Sequence, residues 1–235
     1  MTRRDFGISG TVRERAAREL RDRILTGVLP AGSRVDIDAI TEEFATSRTP
    51  VREALLELSF EGLVRVAPRS GVTVVGIGPQ DVLDSFAILG ALAGKAAEWA
   101  AERIDPAGVA ELRSLACEVA TSAGSAAIVD ANWRLHRRIH LAAGSPRLEA
   151  QIRQAVRVVP SNFFELMPAQ EDHSLADHDD LITALAEGDA ARSRTVAERH
   201  VVDAGRSLAG WLGGGSASLR TLTRMPAPVS DTTAR

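Results

Sequence analysis

Residues 47–55 read SRTPVREAL, a stretch in which two arginines, two hydroxyl side chains and a proline precede an apolar run. Pro50 suits the first turn of a helix, because the backbone N–H that proline lacks has no helical partner there. Four apolar residues follow at the spacing i, i+3, i+4, i+7, which predicts one buried face: Val51, Ala54, Leu55 and Leu58. The stretch therefore predicts a short helix that carries Arg48 and Arg52 near its N-terminus.

The sequence on both sides of this helix predicts a small domain around it. A helical spacing of apolar residues in TVRERAARELRDRIL ends before Gly27, and Asp36 is placed to cap a second short helix in DIDAITEEFAT. After Gly62, which is expected to end the third helix, LVRVA and VTVVG alternate with period two around the turn PRSG. Three helices followed by a hairpin are typical of a winged helix-turn-helix, here predicted over residues 11–76.

A different pattern begins after the hinge GIGPQ at residues 76–80. Six helical patterns are separated by short breaks, and no strand is predicted up to residue 213: they cover 80–103, 107–123, 125–143, 147–166, 173–187 and 190–212. Short connections between helices favour antiparallel neighbours. The fold class is therefore mainly α, with an N-terminal winged helix-turn-helix followed by an all-α antiparallel helical bundle over residues 80–212. The remainder, residues 213–235, is rich in Gly, Ser, Thr and Pro and is predicted to be disordered.

Composition restricts the kind of partner. The 235 residues carry a formal charge of −3, and residues 1–78 contain 12 arginines against 11 acidic residues. Binding to nucleic acid therefore requires a local basic patch rather than a basic chain. A single cysteine, Cys117, excludes an internal disulfide and is typical of a reducing compartment. No secretory signal or membrane-spanning segment is visible, so a cytoplasmic protein without a membrane partner is expected.

In a helix-turn-helix the second helix enters the major groove of DNA with its N-terminus first. Arg48, Thr49 and Arg52 occupy that end of the predicted helix, with Ser47 or Thr49 available as the cap. Arginine there reaches phosphates or the O6 and N7 atoms of guanine. The alternative is an ordinary surface helix with solvated arginines. The preceding short helix, the hairpin and Arg69 in its turn favour the DNA-reading interpretation.

Three stretches also resemble a known family. RILTGVLPAGSRV, SRTPVREALLELSFEGLV and RSGVTV are similar to the N-terminal winged helix of the GntR superfamily of bacterial transcription regulators. The resemblance implies that Ser47, Arg48, Thr49 and Arg52 contact double-stranded DNA, and that Gly71 lets the tip of the wing approach the DNA backbone. One departure is Asp38, which stands where the family often has a phosphate-contacting arginine. That contact is expected to be lost.

Residues 80–205 resemble, more distantly, the all-helical effector domain (FCD type) of the FadR-like branch of this superfamily. The similar blocks are NWRLHRRIHLAAGSPRL, DHDDLITALAEGDA and ERHV. In that domain an Asp or Asn and three histidines commonly hold a divalent metal ion. The resemblance implies a metal site with four ligands in this chain: Asn132, His136, His178 and His200. Such a ligand set suits Zn²⁺, Ni²⁺, Mn²⁺ or Fe²⁺.

A helical wheel at 100° per residue places these four side chains on inward faces. His140 falls at the edge beside Trp133, and His173 falls on the polar side near Asp180, so neither is expected to bind the ion. Inward polar groups without partners are costly. Three inward histidines on different helices therefore favour one shared ion over three separately hydrogen-bonded core histidines, which is the alternative.

The effector pocket departs from the branch that the chain resembles. Its first bundle helix often carries an Arg and, four residues later, a Glu, whereas this chain has Leu89 and Ala93. Either the effector, for which an organic acid is expected, is less polar than usual, or another arginine such as Arg153 or Arg157 replaces the missing one. The simpler alternative is that both arginines face solvent.

The leading functional interpretation is a ligand-responsive transcription regulator, expected to be a repressor, that binds a short palindromic operator as a homodimer. One rival is a metallohydrolase whose histidines activate water. That chemistry needs a positioned general base, for which Glu171 and Asp203 are the candidates. The other rival is a DNA-binding dimer whose bundle holds no ligand.

Overall fold

The computed structural model describes residues 11–67, 71–123, 125–167 and 170–214. Its N-terminal part consists of three helices and a two-stranded antiparallel sheet in which Val64 lies opposite Val74. The elements are α1 Val12–Leu25, α2 Ile37–Glu43, α3 Arg48–Phe60, β1 Val64–Ala67 and β2 Gly71–Val74. This is the winged helix-turn-helix that the sequence predicts. Leu20, Val51 and Leu58 are fully buried in its core.

The ends of these helices follow from local side chains. Thr11 and Glu14 form a reciprocal capping box at the start of α1. The Asp36 carboxylate accepts hydrogen bonds from the backbone N–H groups of Asp38 and Ala39, as predicted for the cap of α2. Gly62 follows α3 with φ of +77°, a conformation that glycine adopts without strain. Side chains next to the helices therefore fix the starts of α1 and α2, and Gly62 fixes the end of α3, the predicted DNA-reading helix.

The rest of the described chain is helical. The helices are α4 Pro79–Arg103, α5 Pro106–Thr121, α6 Ser125–Ala142, α7 Pro146–Ala155, α8 Phe163–Leu166, α9 Gln170–Glu187 and α10 Ala190–Gly213. They form the predicted bundle, in which α4 packs along α10. No described helix is both long and apolar enough to cross a membrane. Residues 215–235, most of the predicted tail, lie outside the described residues.

One predicted helix, residues 147–166, is wrong. The structure breaks it into α7, a 3-10 turn at Val156–Val158, an extended residue Val159 and the short helix α8. Pro160 explains the break, because proline disfavours a helical conformation in the residue before it and lacks an N–H to donate. Val156, Val159 and Pro160, at this break, line a cavity in the bundle.

Small residues hold α4 close to α10. A Cβ atom added to Gly205 would lie 2.4 Å from Cβ of Phe86, and one added to Gly94 would lie 3.1 Å from the carbonyl oxygen of Arg194. The two backbones therefore approach more closely than larger side chains permit. This packing places Phe86 and Leu89 of α4 beside His200 of α10, around one cavity.

Candidate nucleic-acid interface and metal centre

The N-terminal end of α3 is an exposed polar surface. Ser47 occupies the N-cap position, but its side chain makes no capping hydrogen bond. Arg48, Thr49 and Arg52 are all exposed, while the opposite face of α3 is buried. Arg52 has no ion-pair partner among the described residues. Free N–H groups at a helix N-terminus and nearby guanidinium groups together favour phosphate and base contacts.

Asp38 contacts one of these arginines. Its carboxylate pairs with Arg48 through two hydrogen bonds, of 2.7 Å from Nε and 2.8 Å from Nη2. Asp38, Arg48 and Arg52 line one shallow cleft between α2 and α3. Asp38 thus does more than omit a phosphate contact: it holds a predicted DNA-reading side chain and adds a negative charge to the reading surface.

We expect Asp38→Asn to tighten binding to any duplex. Both partners of the pair are more than half exposed, and such pairs contribute roughly 0.2–1 kcal/mol, so the gain is up to about fivefold. Removing one negative charge from the surface acts in the same direction. Fluorescence anisotropy at fixed salt measures the effect. Glu42→Gln is the matched control, since it removes one charge from the same helix without releasing Arg48. An equal gain in both variants would contradict a specific role for the pair.

Further exposed arginines lie at the β1–β2 hairpin, the predicted wing. Gly71 begins β2 with φ of +84° and has open space where a side chain would stand, whereas Arg69 lies outside the described residues. Arg34 and Arg65 were not among the predicted site residues, yet both are exposed and both lie opposite Thr73. The exposure of Arg65 could have been predicted from the alternation in LVRVA, because this pattern places Arg65 on the outer face of the hairpin.

Three histidines from three helices meet in the bundle. Nε2 of His136 in α6 lies 3.3 Å from Nε2 of His178 in α9. His200 of α10 completes the group, and one ligand atom from each residue lies within 4.8 Å of the others. Two nitrogens bound to one tetrahedral zinc, each at about 2.0–2.1 Å, lie about 3.3–3.4 Å apart. The spacing therefore fits a single ion.

Burial keeps His136 and His178 neutral, which is the form of an imidazole that binds metals. Burial lowers the pKa of His178 to about 3. Burial, with added repulsion from His200 and His178, holds the pKa of His136 well below its ordinary value. His200 is oriented by Asp177, whose carboxylate lies 3.2 Å from Nδ1. A carboxylate on one ring nitrogen directs the other toward a metal ion.

Asn132 lies one turn before His136 on α6 and lines the same cavity. Its side-chain oxygen is buried without a hydrogen-bond partner among the described residues, and so is Nδ1 of His178. Buried polar atoms without partners are rare and call for an explanation. An ion held beside the histidines would give the Asn132 oxygen a partner, so the residues present fit the divalent metal that the family resemblance implies.

His140 is half-buried, as an edge position implies, but it lies close to the histidine group. Burial lowers its pKa to about 4, and its ring lines the cavity 6.4 Å from the ring centre of His136. A helical wheel measures only the average direction of the buried side chains, and His140 lies at the edge of that face. The cavity, however, lies to one side of α6. His140 is not part of the three-histidine group. The side chain of His173 lies outside the described residues.

The cavity encloses about 90 Å³ beside the histidines. Leu89 and Ala93 both line it, in agreement with the resemblance, but neither Arg153 nor Arg157 does. Arg153 is exposed and pairs with Glu149, while Arg157 contacts the winged helix. Apart from Asn132, Ser174 and the three histidines His136, His140 and His200, the lining side chains are apolar. The described lining contains no cationic or acidic group.

A winged helix joined to a helical bundle with a ligand-sized cavity is typical of DNA-binding proteins that respond to a ligand. Comparison with known proteins agrees. Residues 12–74 match the model of the gntR family of bacterial regulatory proteins, and residues 84–203 match the FCD domain. The chain therefore belongs to the GntR family, in the group whose effector-binding domain is of FCD type. It is a DNA-binding transcription regulator and not a metallohydrolase. Asp203, one candidate base, pairs with Arg206 and does not line the cavity.

Relatives extend over different parts of the chain. An uncharacterized HTH-type transcriptional regulator of Mycobacterium tuberculosis is 28% identical over 163 residues, which are 66% of this chain and 67% of the relative. The gluconate operon transcriptional repressor of Bacillus subtilis is 38% identical over 72 residues, 31% of this chain and 29% of the repressor. The solved structure of Escherichia coli McbR/YncC covers 91% of this chain and 99% of its own, at 22% identity and a TM-score of 0.62, and so shares the fold.

Proposed function

We propose that this protein is a repressor whose operator affinity is set by a small acid bound beside a divalent metal ion in the helical domain. The observation that carries the proposal is the convergence of His136, His178 and His200, two of which, His136 and His200, line a mostly apolar cavity. Repression is supported by the gluconate operon transcriptional repressor, which is similar to this chain over 72 residues, about the length of a small DNA-binding domain. We further propose that the regulator acts in the cytoplasm.

The metal ion would be held by the three imidazoles and by the Asn132 oxygen. When bound, it supplies a positive charge with coordination positions open to a ligand atom. The histidines come from α6, α9 and α10, so they brace three helices against one another. Asp177 orients His200 and keeps a compensating charge just outside the ligand set.

The effector class follows from the charges around the cavity. All four metal ligands are neutral, and the described lining contains no carboxylate, so an ion of charge +2 is compensated best by an anionic ligand. The walls are mostly apolar and offer no arginine or lysine to a second carboxylate. An engineered cavity of about 150 Å³ holds benzene, so a volume of about 90 Å³ suits a smaller molecule. We therefore propose a small monocarboxylate with an apolar body.

We also propose that the regulator is a homodimer. The reading surface of one chain offers Arg48 and Arg52, which is too few specific contacts for the affinity of a typical operator. Two copies related by a two-fold axis read two half-sites one helical turn apart.

The test uses the full-length protein loaded with Zn²⁺ and a duplex selected from genomic DNA. Sedimentation should show two chains per duplex, and a strictly monomeric protein at micromolar concentration would contradict the dimer. Propionate should raise the melting temperature of the loaded protein and release the duplex, whereas succinate, which is propionate with a second carboxylate on its terminal carbon, should do neither. Protein stripped of metal should respond to neither acid. Equal or stronger binding of succinate would show that the proposed effector class is wrong.

A further inference from the structure

The helical domain contacts the winged helix through the segment that follows α7. Arg157 Nη1 donates hydrogen bonds to Glu57 in the C-terminal half of α3 and to Glu61 directly after it, at 2.5 and 2.6 Å. The hydroxyl and backbone N–H of Ser161 donate to the Asp22 carboxylate of α1, at 2.6 and 3.1 Å. The helix that carries Arg48 and Arg52 is therefore bound directly to the effector domain.

The same segment forms one wall of the effector cavity. Arg157 and Ser161, which reach the winged helix, lie in sequence between residues of the segment that line the cavity. The cavity-lining residues are Val156, Val159, Pro160, Phe163 and Phe164. A 3-10 turn has three residues per turn, so Val156 and Val159 share one side while Arg157 projects from another. A ligand that displaces this wall must also displace Arg157.

The contact is built so that it can open. Glu61 also accepts hydrogen bonds from Arg21, at 2.7 and 2.8 Å, and Glu57 accepts one from Arg13, at 3.1 Å. Burial acts to raise the pKa of Glu61, but the bonds from Arg21 and Arg157 outweigh it and the pKa is lowered. Removing the sole partner of a buried charge is strongly destabilising, whereas here each carboxylate keeps a partner from its own domain.

There is also space for the movement. A cleft of about 210 Å³ separates the domains at this point and is lined by Glu61, Arg157 and Val158. Within the segment, the side-chain oxygen of Asn162 is buried and lacks a hydrogen-bond partner among the described residues. The Asn162 oxygen therefore lacks a hydrogen bond when the segment has this conformation. Such a cost favours a second conformation of the segment with comparable free energy.

We infer that the segment Val156–Phe164 transmits occupancy of the cavity to the reading helix, and that Arg157 is the residue that couples them. The inference rests on the proposed function, since it takes the cavity to be the effector site. A ligand then changes operator affinity by changing the contact of Arg157 with Glu57 and Glu61, and by linkage operator DNA changes ligand affinity equally.

The experiment needs no identified effector, because a substitution can fill the cavity permanently. Ala93 lines the cavity, and Ala93→Leu adds a fixed apolar occupant. In the full-length protein we expect Ala93→Leu to change the dissociation constant of the selected operator by about fivefold or more. In combination with Arg157→Gln, the same substitution should change it less than about twofold. If Ala93→Leu does not fold, Ala204→Val fills the same cavity with fewer atoms.

Arg153→Gln is the matched control. It removes the same charge four residues earlier, from an exposed side chain that pairs with Glu149 within α7, and it should leave the effect of Ala93→Leu unchanged. If Ala93→Leu changes the dissociation constant of the operator equally with and without Arg157, the inference is wrong. It is also wrong if Ala93→Leu as a single substitution leaves that dissociation constant unchanged. Metal content and operator binding of the unchanged protein test the proposed function separately.

Discussion

Replacing His178 by alanine is expected to remove the metal ion and lower thermal stability together. His178 is 2% exposed, and its ring lies about 5 Å from the rings of both His136 and His200. A ligand that binds only the folded state at one hundred times its dissociation constant contributes about 2.7 kcal/mol. Loss of one ligand should cancel most of that contribution. Elemental analysis and thermal unfolding, each with and without EDTA, measure the two effects.

Two further variants separate a metal site from a set of core histidines. His140→Ala leaves a small cavity in the same wall, so it should lower stability while metal content stays unchanged. Asp177→Asn should weaken metal affinity about 10- to 100-fold, because it removes the carboxylate that orients His200. A variant lacking all three clustered histidines that still retains stoichiometric metal would contradict the site. An unchanged protein that never acquires metal would contradict it equally.

The second large effect is expected at the reading helix. Arg48→Ala and Arg52→Ala should each cost about 1–3 kcal/mol on the selected operator if both side chains read bases. The cost should shrink on unrelated duplexes, where only phosphate contacts remain. Titrations at several salt concentrations should also show a smaller salt slope for each variant, because each loses one phosphate-neutralising charge.

Arg113→Ala controls for loss of charge alone. Arg113 is exposed on α5, in the helical domain, and the substitution removes the same charge without touching the winged helix. It should leave operator affinity nearly unchanged. Full-affinity binding by the double variant of Arg48 and Arg52 at matched salt would exclude both residues from operator recognition.

The winged helix was predictable from sequence because its signals are local. Asp36 caps the helix that follows it, Gly62 supplies the positive φ that ends α3, and hydrophobic spacing defines each buried face. The inward positions of His136 and His178 were predictable for the same reason. A helical wheel assigns a side chain to a face without knowledge of the neighbouring helix.

The wheel fails where a helix has more than one inward side. On α6 the buried stripe of Leu135 and Ile139 faces the bundle core, while Asn132, His136 and His140 face the cavity beside it. Periodicity measures one average direction and does not separate the two. His140, which the wheel places at an edge, is half-buried and lines that cavity.

The amino-acid sequence by itself determined the two domains, the reading helix and the residue types able to hold an ion, since each depends on spacing along a few turns of chain. Only the tertiary structure decided what lies across from them. It paired Asp38 with Arg48, brought histidines from three helices within reach of one ion and turned Arg157 toward Glu57, 100 residues earlier in the chain. Such contacts depend on packing between distant segments, which no local pattern records.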